Sequence, residues 1–139
     1  MKIAFGTDEH TPLTDAVRAD LEAHGHAVVV VDDGQWVEVG HAVGEAVASG
    51  DCDTGVLFCW TGTGASIAAN KVPGIRAALC GDAETARGAR KWNDANVLAL
   101  SLRRTSGPLL AEILDAWLDG EPSTEESDLQ NVRHVDEIG

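Results

Sequence analysis

Short apolar runs alternate along this chain with longer segments of helical period, and that alternation limits the fold more than any other feature. Residues 2–6, Lys-Ile-Ala-Phe-Gly, read as a strand, and Pro12 opens a helix carrying Val17 and Leu21 on one face. His24-Gly25-His26 ends that helix, and residues 27–31 form a β-branched run without polar alternation. Such a run fits a strand buried on both faces, so the second strand is expected in the sheet interior. A helix is expected over 38–49, where Gly50 stops it, and Val56-Leu57-Phe58-Cys59 is the third strand. A small-residue helix follows over 64–70, a strand over 75–80, a helix over 82–91, a strand over 96–100 and a helix over 108–118. Residues 119–128 are rich in turn formers and acids, which predicts an exposed linker to a last helix at about 129–138.

Strict strand–helix alternation implies a parallel sheet covered on both faces through right-handed crossovers. The expected fold class is therefore α/β: a Rossmann-like three-layer α/β/α sandwich with a five-stranded parallel sheet and a C-terminal helical tail. Residues 1–120 would form the main domain and 121–139 the acidic linker and tail helix. Ligands of such sheets bind beyond the carboxyl ends of the strands. Asp8, the segment Cys59-Trp60-Thr61-Gly62 and residues 100–103 are thus expected to converge.

Charge narrows the partners. Twenty-three acidic against ten basic residues give a net charge of −13, which disfavours nucleic acid and anionic lipid surfaces. No apolar stretch approaches the roughly 18 residues of a membrane span, and the start MKIAFGTDEH is unlike a signal peptide. A cytoplasmic protein is expected. The three cysteines lack C-x-x-C spacing, which argues against a disulfide framework or a zinc cluster.

The segment Cys59-Trp60-Thr61-Gly62-Thr63-Gly64-Ala65-Ser66 sets a thiol at the end of a strand, then a glycine turn, then a helix N-terminus. Backbone N–H groups there favour negative charge, which suits a thiolate base beside an anionic intermediate. A buried core cysteine before an ordinary tight turn fits the same spacing. A Walker A loop would need Gly-Lys-Ser/Thr, but Gly64 is followed by Ala65-Ser66; a dinucleotide fingerprint would need Gly or Ala where Ile67 stands. Neither nucleotide motif is met.

The residues Gly6-Thr7-Asp8, Glu45 to Gly50, Cys59 through Lys71, Gly74 to Cys80 and Asn93 to Leu100 together resemble the ribose-5-phosphate isomerase B family, which includes the galactose-6-phosphate isomerase subunits. The resemblance runs over nearly the whole chain. It implies an aldose–ketose isomerase working through a cis-enediolate, without metal or nucleotide cofactor, as a homodimer that pairs further or not. Cys59 would then move the proton between C1 and C2, Thr61 would handle a substrate oxygen, and the amides of Gly62, Thr63 and Gly64 would hold the enediolate. Asp8 would bind sugar hydroxyls, and Asn93 would reach the site from the partner subunit. The tail helix would pack on its own domain or on that partner.

Departures from the family pattern cluster on the substrate side. Asp8 is followed by Glu9 before His10, displacing the histidine that contacts phosphate in the family. The family's ring-opening histidine is Trp92, its Asp-Tyr-Pro loop reads Gln35-Trp36-Val37, and the glycine after the catalytic cysteine is Trp60. Trp36, Trp60 and Trp92 are expected to narrow the pocket or offer apolar faces to a sugar. Arg103 matches a phosphate arginine. Two others align with Gln130 and His134, leaving Arg133 one place out of register. Four readings stand: an isomerase of ribose 5-phosphate or a similar sugar phosphate, with His10, Arg103, Arg133 and His134 rebuilding the anion site; one for an open-chain tetrulose phosphate; one for an unphosphorylated or modified sugar; and a non-catalytic sugar-binding paralogue.

Overall fold

The computed structural model describes residues 1–139. Five strands and six helices alternate: β1 Lys2–Thr7, α1 Pro12–Ala23, β2 Ala27–Asp32, α2 Trp36–Ala48, β3 Thr54–Cys59, α3 Thr63–Asn70, β4 Ala77–Leu79, α4 Ala83–Asn93, β5 Val97–Ser101, α5 Gly107–Asp119 and α6 Glu126–Ile138. All strands pair in parallel, in the order β2-β1-β3-β5-β4. Helices α1, α4 and α5 cover one face and α2 and α3 the other, which makes the expected three-layer sandwich. No helix is long and apolar enough to cross a membrane.

The two faces of the sheet differ in side-chain size, and this difference positions the site. Ile3, Phe5, Val56, Phe58, Leu98 and Leu100 point toward α1, α4 and α5 and pack with Leu21, Ile113, Leu114 and Trp117. The indole of Trp117 donates to Thr54 Oγ1 at 3.1 Å, so even its one polar atom is satisfied inside the core. Toward α2 and α3 the strands present mainly small groups, among them Ala4, Ala99 and Cys59. Small side chains let these two helices lie close to the sheet and to each other. A Cβ added at Gly40 of α2 would fall 2.4 Å from the Ala65 carbonyl and 2.6 Å from Ala68 Cβ on α3.

Two expectations are corrected. β2 is an edge strand, not an interior one. Its residues are half-buried or exposed, whereas β3 and β5 are buried throughout. β-branched residues suit the pleat at an edge as well as at the centre, so the run 27–31 carried no information on its place in the sheet order. Trp36 and Val37, read as loop residues, are the first turn of α2. Glu38 reaches back to accept from the Gln35 N–H at 2.9 Å, starting the helix two residues earlier than the hydrophobic period indicated.

Gly40→Ala should force α2 away from α3 at a backbone carbonyl and cost about 1–3 kcal/mol as an overpacking change. A lowered urea midpoint is the expected result; an unchanged one would mean that this contact opens freely.

Candidate active site

The strand order diverges between β1, which continues to β2, and β3, which continues to β5. Sheets of this kind open a crevice at such a switch point, outside the carboxyl ends of the strands. Cys59 ends β3 there with its side chain on the α2/α3 face, almost wholly buried. Asp8 follows β1, its N–H 3.4 Å from the Phe58 carbonyl. The chain after β5 is stitched to the chain after β3: the Leu102 N–H donates to the Cys59 carbonyl at 3.0 Å and the Arg103 N–H to the Trp60 carbonyl at 3.1 Å. Ser101 Oγ adds a third bond, to the Trp60 carbonyl at 3.0 Å.

Between Cys59 and α3 the backbone turns at Gly62, whose φ of 78° is left-handed. A Cβ there would also strike Leu79 Cδ1 at 2.5 Å, so conformation and space both require glycine. The turn delivers the N-terminus of α3 beside Cys59. The N–H groups of Gly62, Thr63, Gly64 and Ala65 donate to no other group of the chain and are available to an anion. The hydroxyls of Thr61 and Thr63 lie 2.6 Å apart at the mouth of this turn. The Trp36 indole covers Gly64 so closely that a Cβ there would come within 2.8 Å of the ring. Trp60 stands outward and exposed on the other side of Cys59.

Charge is divided across the crevice. On the β1–β2 side lie Asp8, Glu9, Asp32, Asp33 and Glu38, with His10 as the lone basic group, its Nε2 3.2 Å from Asp33. Burial, helped by Glu9, raises the Asp8 carboxyl above its usual value of 3.8. On the β5 side Arg103 is exposed and forms no ion pair, and neither does its neighbour Arg104. The other two thiols sit elsewhere and are suppressed. Burial pushes Cys80 up to about 12 and raises Cys52 as well.

Of the residues expected at the site, the structure therefore gathers Asp8, His10, Trp36, Cys59, Trp60, Thr61, Gly62, Thr63, Gly64 and Arg103 at one end of the sheet. It does not bring Trp92, Asn93, Arg133 or His134 to them within the chain. α4 runs back against the strands, so Trp92 and Asn93 lie near Arg76, just before β4, at the opposite end. Along β5 alone, from Val97 to Ser101 beside Cys59, the separation is roughly 13 Å at about 3.3 Å per residue. Trp92 folds over Gly88 with Lys91 Nζ 5.7 Å from its ring centre. Arg133 bonds Glu126 at 2.6 Å on the exposed side of α6. Arg104 lies just beyond the segment 100–103 that the sequence places at the site, and two adjacent arginines in a chain with ten lysines and arginines are the signal for it. Ser101 falls inside that segment, but its bond to the Trp60 carbonyl depends on strand register and is not visible in the sequence.

A thiol, free helix-start amides and a divided charge field gather at a sheet switch point, where α/β enzymes bind small polar ligands. The family model described as Ribose/Galactose Isomerase matches residues 3–138, and the chain belongs to that family as an aldose–ketose isomerase. It is 37% identical to the galactose-6-phosphate isomerase subunit LacB of Clostridium acetobutylicum over 99% of this chain and 83% of that protein. It is 46% identical to a D-erythrulose-4-phosphate isomerase of Pectobacterium atrosepticum over 62% of this chain and 57% of that one. Among solved structures, ribose-5-phosphate isomerase B of Clostridium thermocellum superposes with a TM-score of 0.93 at 40% identity, covering 99% of this chain and 97% of that one.

The raised carboxyl of Asp8 has a pH signature. Because its folded value lies above the unfolded 3.8, the protonated form is favoured in the fold, and that contribution is lost as pH rises through the folded value. Asp8→Asn should therefore raise the Tm at pH 7 while leaving it nearly unchanged at pH 3. An equal shift at both pH values would place the effect elsewhere than on the Asp8 charge.

Proposed function

We propose that this protein interconverts an aldose phosphate and its ketose through a cis-enediolate with Cys59 as the base, as a cytoplasmic homodimer whose two sites each draw on both subunits. Residues 1–120 serve as the isomerase body and 121–139 as its tail. The observation that carries the reading is a buried thiol, Cys59, at the last position of β3, three residues before the left-handed Gly62 that opens α3 with unpaired amides.

In the forward direction the Cys59 thiolate takes the proton from C2 of the open-chain aldose. The C2 electron pair forms the C1–C2 double bond, and the carbonyl electrons move to O1. The charge that develops on the substrate oxygens is met by the N–H groups of Gly62, Thr63 and Gly64, aimed before the reaction begins. Return of the proton from the thiol to C1, with transfer of the O2 hydroxyl proton toward O1, yields the ketose. Thr61 is within a short hydroxyl bond of Thr63 and serves these oxygen-to-oxygen transfers. The divided field orients the substrate: hydroxyls lie toward Asp8, which accepts their hydrogen bonds, and the phosphate lies away from the acids, toward Arg103. His10 is held by Asp33 at the acidic edge.

Sharing between subunits is supported by the separation of Trp92, Asn93, Arg133 and His134 from Cys59 in their own chain. These residues face outward at the far end of the sheet, where a second copy turned end for end would receive them. Arg133 and His134 would then complete the anion site that Arg103 begins. A second reading, a substrate that stays open-chain such as a tetrulose phosphate, is favoured by Trp92: an indole cannot pass a proton to a ring oxygen, and a four-carbon ketose phosphate has no pyranose to open.

Cys59→Ala should fold normally and lose wash-in of solvent deuterium at C1 and C2, with turnover down by about 10²–10⁴, the usual weight of a general base. Incubation of the native protein in deuterated water with phosphorylated and free pentoses, hexoses and tetruloses, followed by NMR, reads the substrate at the same time. Exchange with sugar phosphates is expected; exchange with free sugars alone would overturn the phosphate assignment, and full turnover by the Cys59 variant would overturn the base.

Trp92→His should raise the rate on a ring-forming sugar phosphate by at least about tenfold, the low end of an acid–base contribution, while leaving the rate on a tetrulose phosphate nearly constant. Equal rates on the ring-forming substrate before and after the change would show that ring opening is not what Trp92 removes.

A further inference from the structure

The tail helix is attached to the body in an unusual way. None of the residues of α6 is fully buried. Val132, Val135 and Ile138 line a cavity of about 520 Å³ with Ile75, Trp92 and Asn93, so apolar contact holds it only loosely. Between residues 1–120 and α6 there is a single side-chain link: Arg76 Nη1 donates to both carboxylate oxygens of Asp136, each at 3.0 Å. Every other hydrogen bond of α6 stays within the helix or goes to the linker before it.

The same guanidinium grips the end of α4. Arg76 Nε donates to the Asp94 carbonyl at 2.9 Å, and Nη2 lies 3.5 Å from Asp94 Oδ2. Asp94 caps α4 with a left-handed φ of 44°, the one residue other than glycine with positive φ in the chain. That conformation is unfavourable for a side-chain-bearing residue and persists where surroundings hold it. Two half-buried guanidiniums surround it: Arg76, with 17% of its side chain exposed, and Arg90, whose Nη1 lies 3.3 Å from Asp94 Oδ1, but of the two only Arg76 also reaches α6. Asn93 and Trp92 directly precede this cap, and Arg133 and His134 lie one turn or less before Asp136 on α6.

We infer that Arg76 is a positioning residue which, through Asp94 on one side and Asp136 on the other, sets the relative placement of the two elements that each subunit lends to its partner's site. The inference rests on the shared-site reading given above. Arg76 touches no reacting atom; it acts through Asn93 and Trp92 at the end of α4 and through Arg133 and His134 on α6. Losing the Asp136 arm frees α6 while the Asp94 arm keeps α4 in place, so the anion contacts loosen and the chemistry at Cys59 does not. The expected signature is weakened substrate binding with unchanged turnover.

The test uses the full-length protein and the sugar phosphate that shows deuterium exchange. Asp136→Ala should raise KM about tenfold, in keeping with loss of a charged hydrogen bond that orders a binding element, with kcat within about twofold and with circular dichroism and elution volume unchanged. Asp136→Glu should recover most of the KM. An unchanged KM in Asp136→Ala, a fall in kcat alone, or no recovery by Glu would overturn the inference. Co-expression of Cys59→Ala with Asp136→Ala under separate affinity tags then tests the sharing. In the hybrid dimer one site combines an intact Cys59 with an intact tail, so native KM at about half the native kcat is expected. A hybrid that keeps the raised KM would place the Asp136 effect within its own subunit and overturn the shared arrangement. The Cys59→Ala homodimer is the separate control on the base: full activity there would sink the Cys59 assignment whatever Asp136 does.

Discussion

Gly62 is the residue on which the arrangement of the site depends. The end of a buried strand must turn within a few residues into a helix packed over the same sheet, and the turn is closed by Leu79 on one side and the Leu100 backbone on the other. A left-handed residue without a side chain meets both demands. Once Gly62 has turned the chain, the first amides of α3 have no carbonyl behind them, a few residues after Cys59. An anion site is therefore a by-product of making this corner, since a helix start beyond a parallel strand leaves its N–H groups unpaired. What the chain adds is a thiol at the last position of the strand and small residues, Gly40 and Ala65 among them, that bring α2 close enough to hold α3 in place.

The unequal faces of the sheet divide the work. The face under α1, α4 and α5 carries the large side chains and the buried Trp117, and it supplies most of the apolar burial that holds the domain together. The face under α2 and α3 gives up volume in exchange for close approach, and it carries Cys59. Charge is unevenly spread over the crevice. Acids gather after β1 and β2, whereas the helix start and two unpaired arginines occupy the side after β3 and β5. On a chain with a net charge of −13, the positive groups of the crevice thus lie on that side.

Within one chain the expected site residues fall into two separate groups. Asn93, Trp92 and the basic residues of α6 stand at the far end of the sheet from Cys59, because a helix that returns a parallel strand must end where the next strand begins. No rearrangement of a loop can undo this, as α4 is packed on the core through Ala86 and Ala89. A site built across subunits uses both ends of the sheet at once, and it makes the rigidity of the lent elements part of the site. The left-handed cap at Asp94 and its hold by Arg76 fit that need for rigidity at the end of α4.

The sequence by itself determined the class of fold, the alternation of elements and the Cys59–Ser66 corner, because those follow from hydrophobic period and from glycine placement, which are local. It also carried the family through long matching stretches. It did not reveal that β2 lies at an edge, since a valine run satisfies the pleat at any position in the sheet. Nor did it place Trp36 on a helix, because the cap that starts α2 early is a side-chain-to-backbone bond from Glu38. The loop-to-loop bonds of Ser101 and Arg103 with Trp60 join residues some forty positions apart. The Arg76 links to Asp94 and Asp136 span 18 and 60 residues. Only the tertiary structure could decide those, along with the separation of Asn93 and α6 from Cys59. They depend on strand order and helix direction, and residues brought together across a sheet leave no periodic trace along the chain.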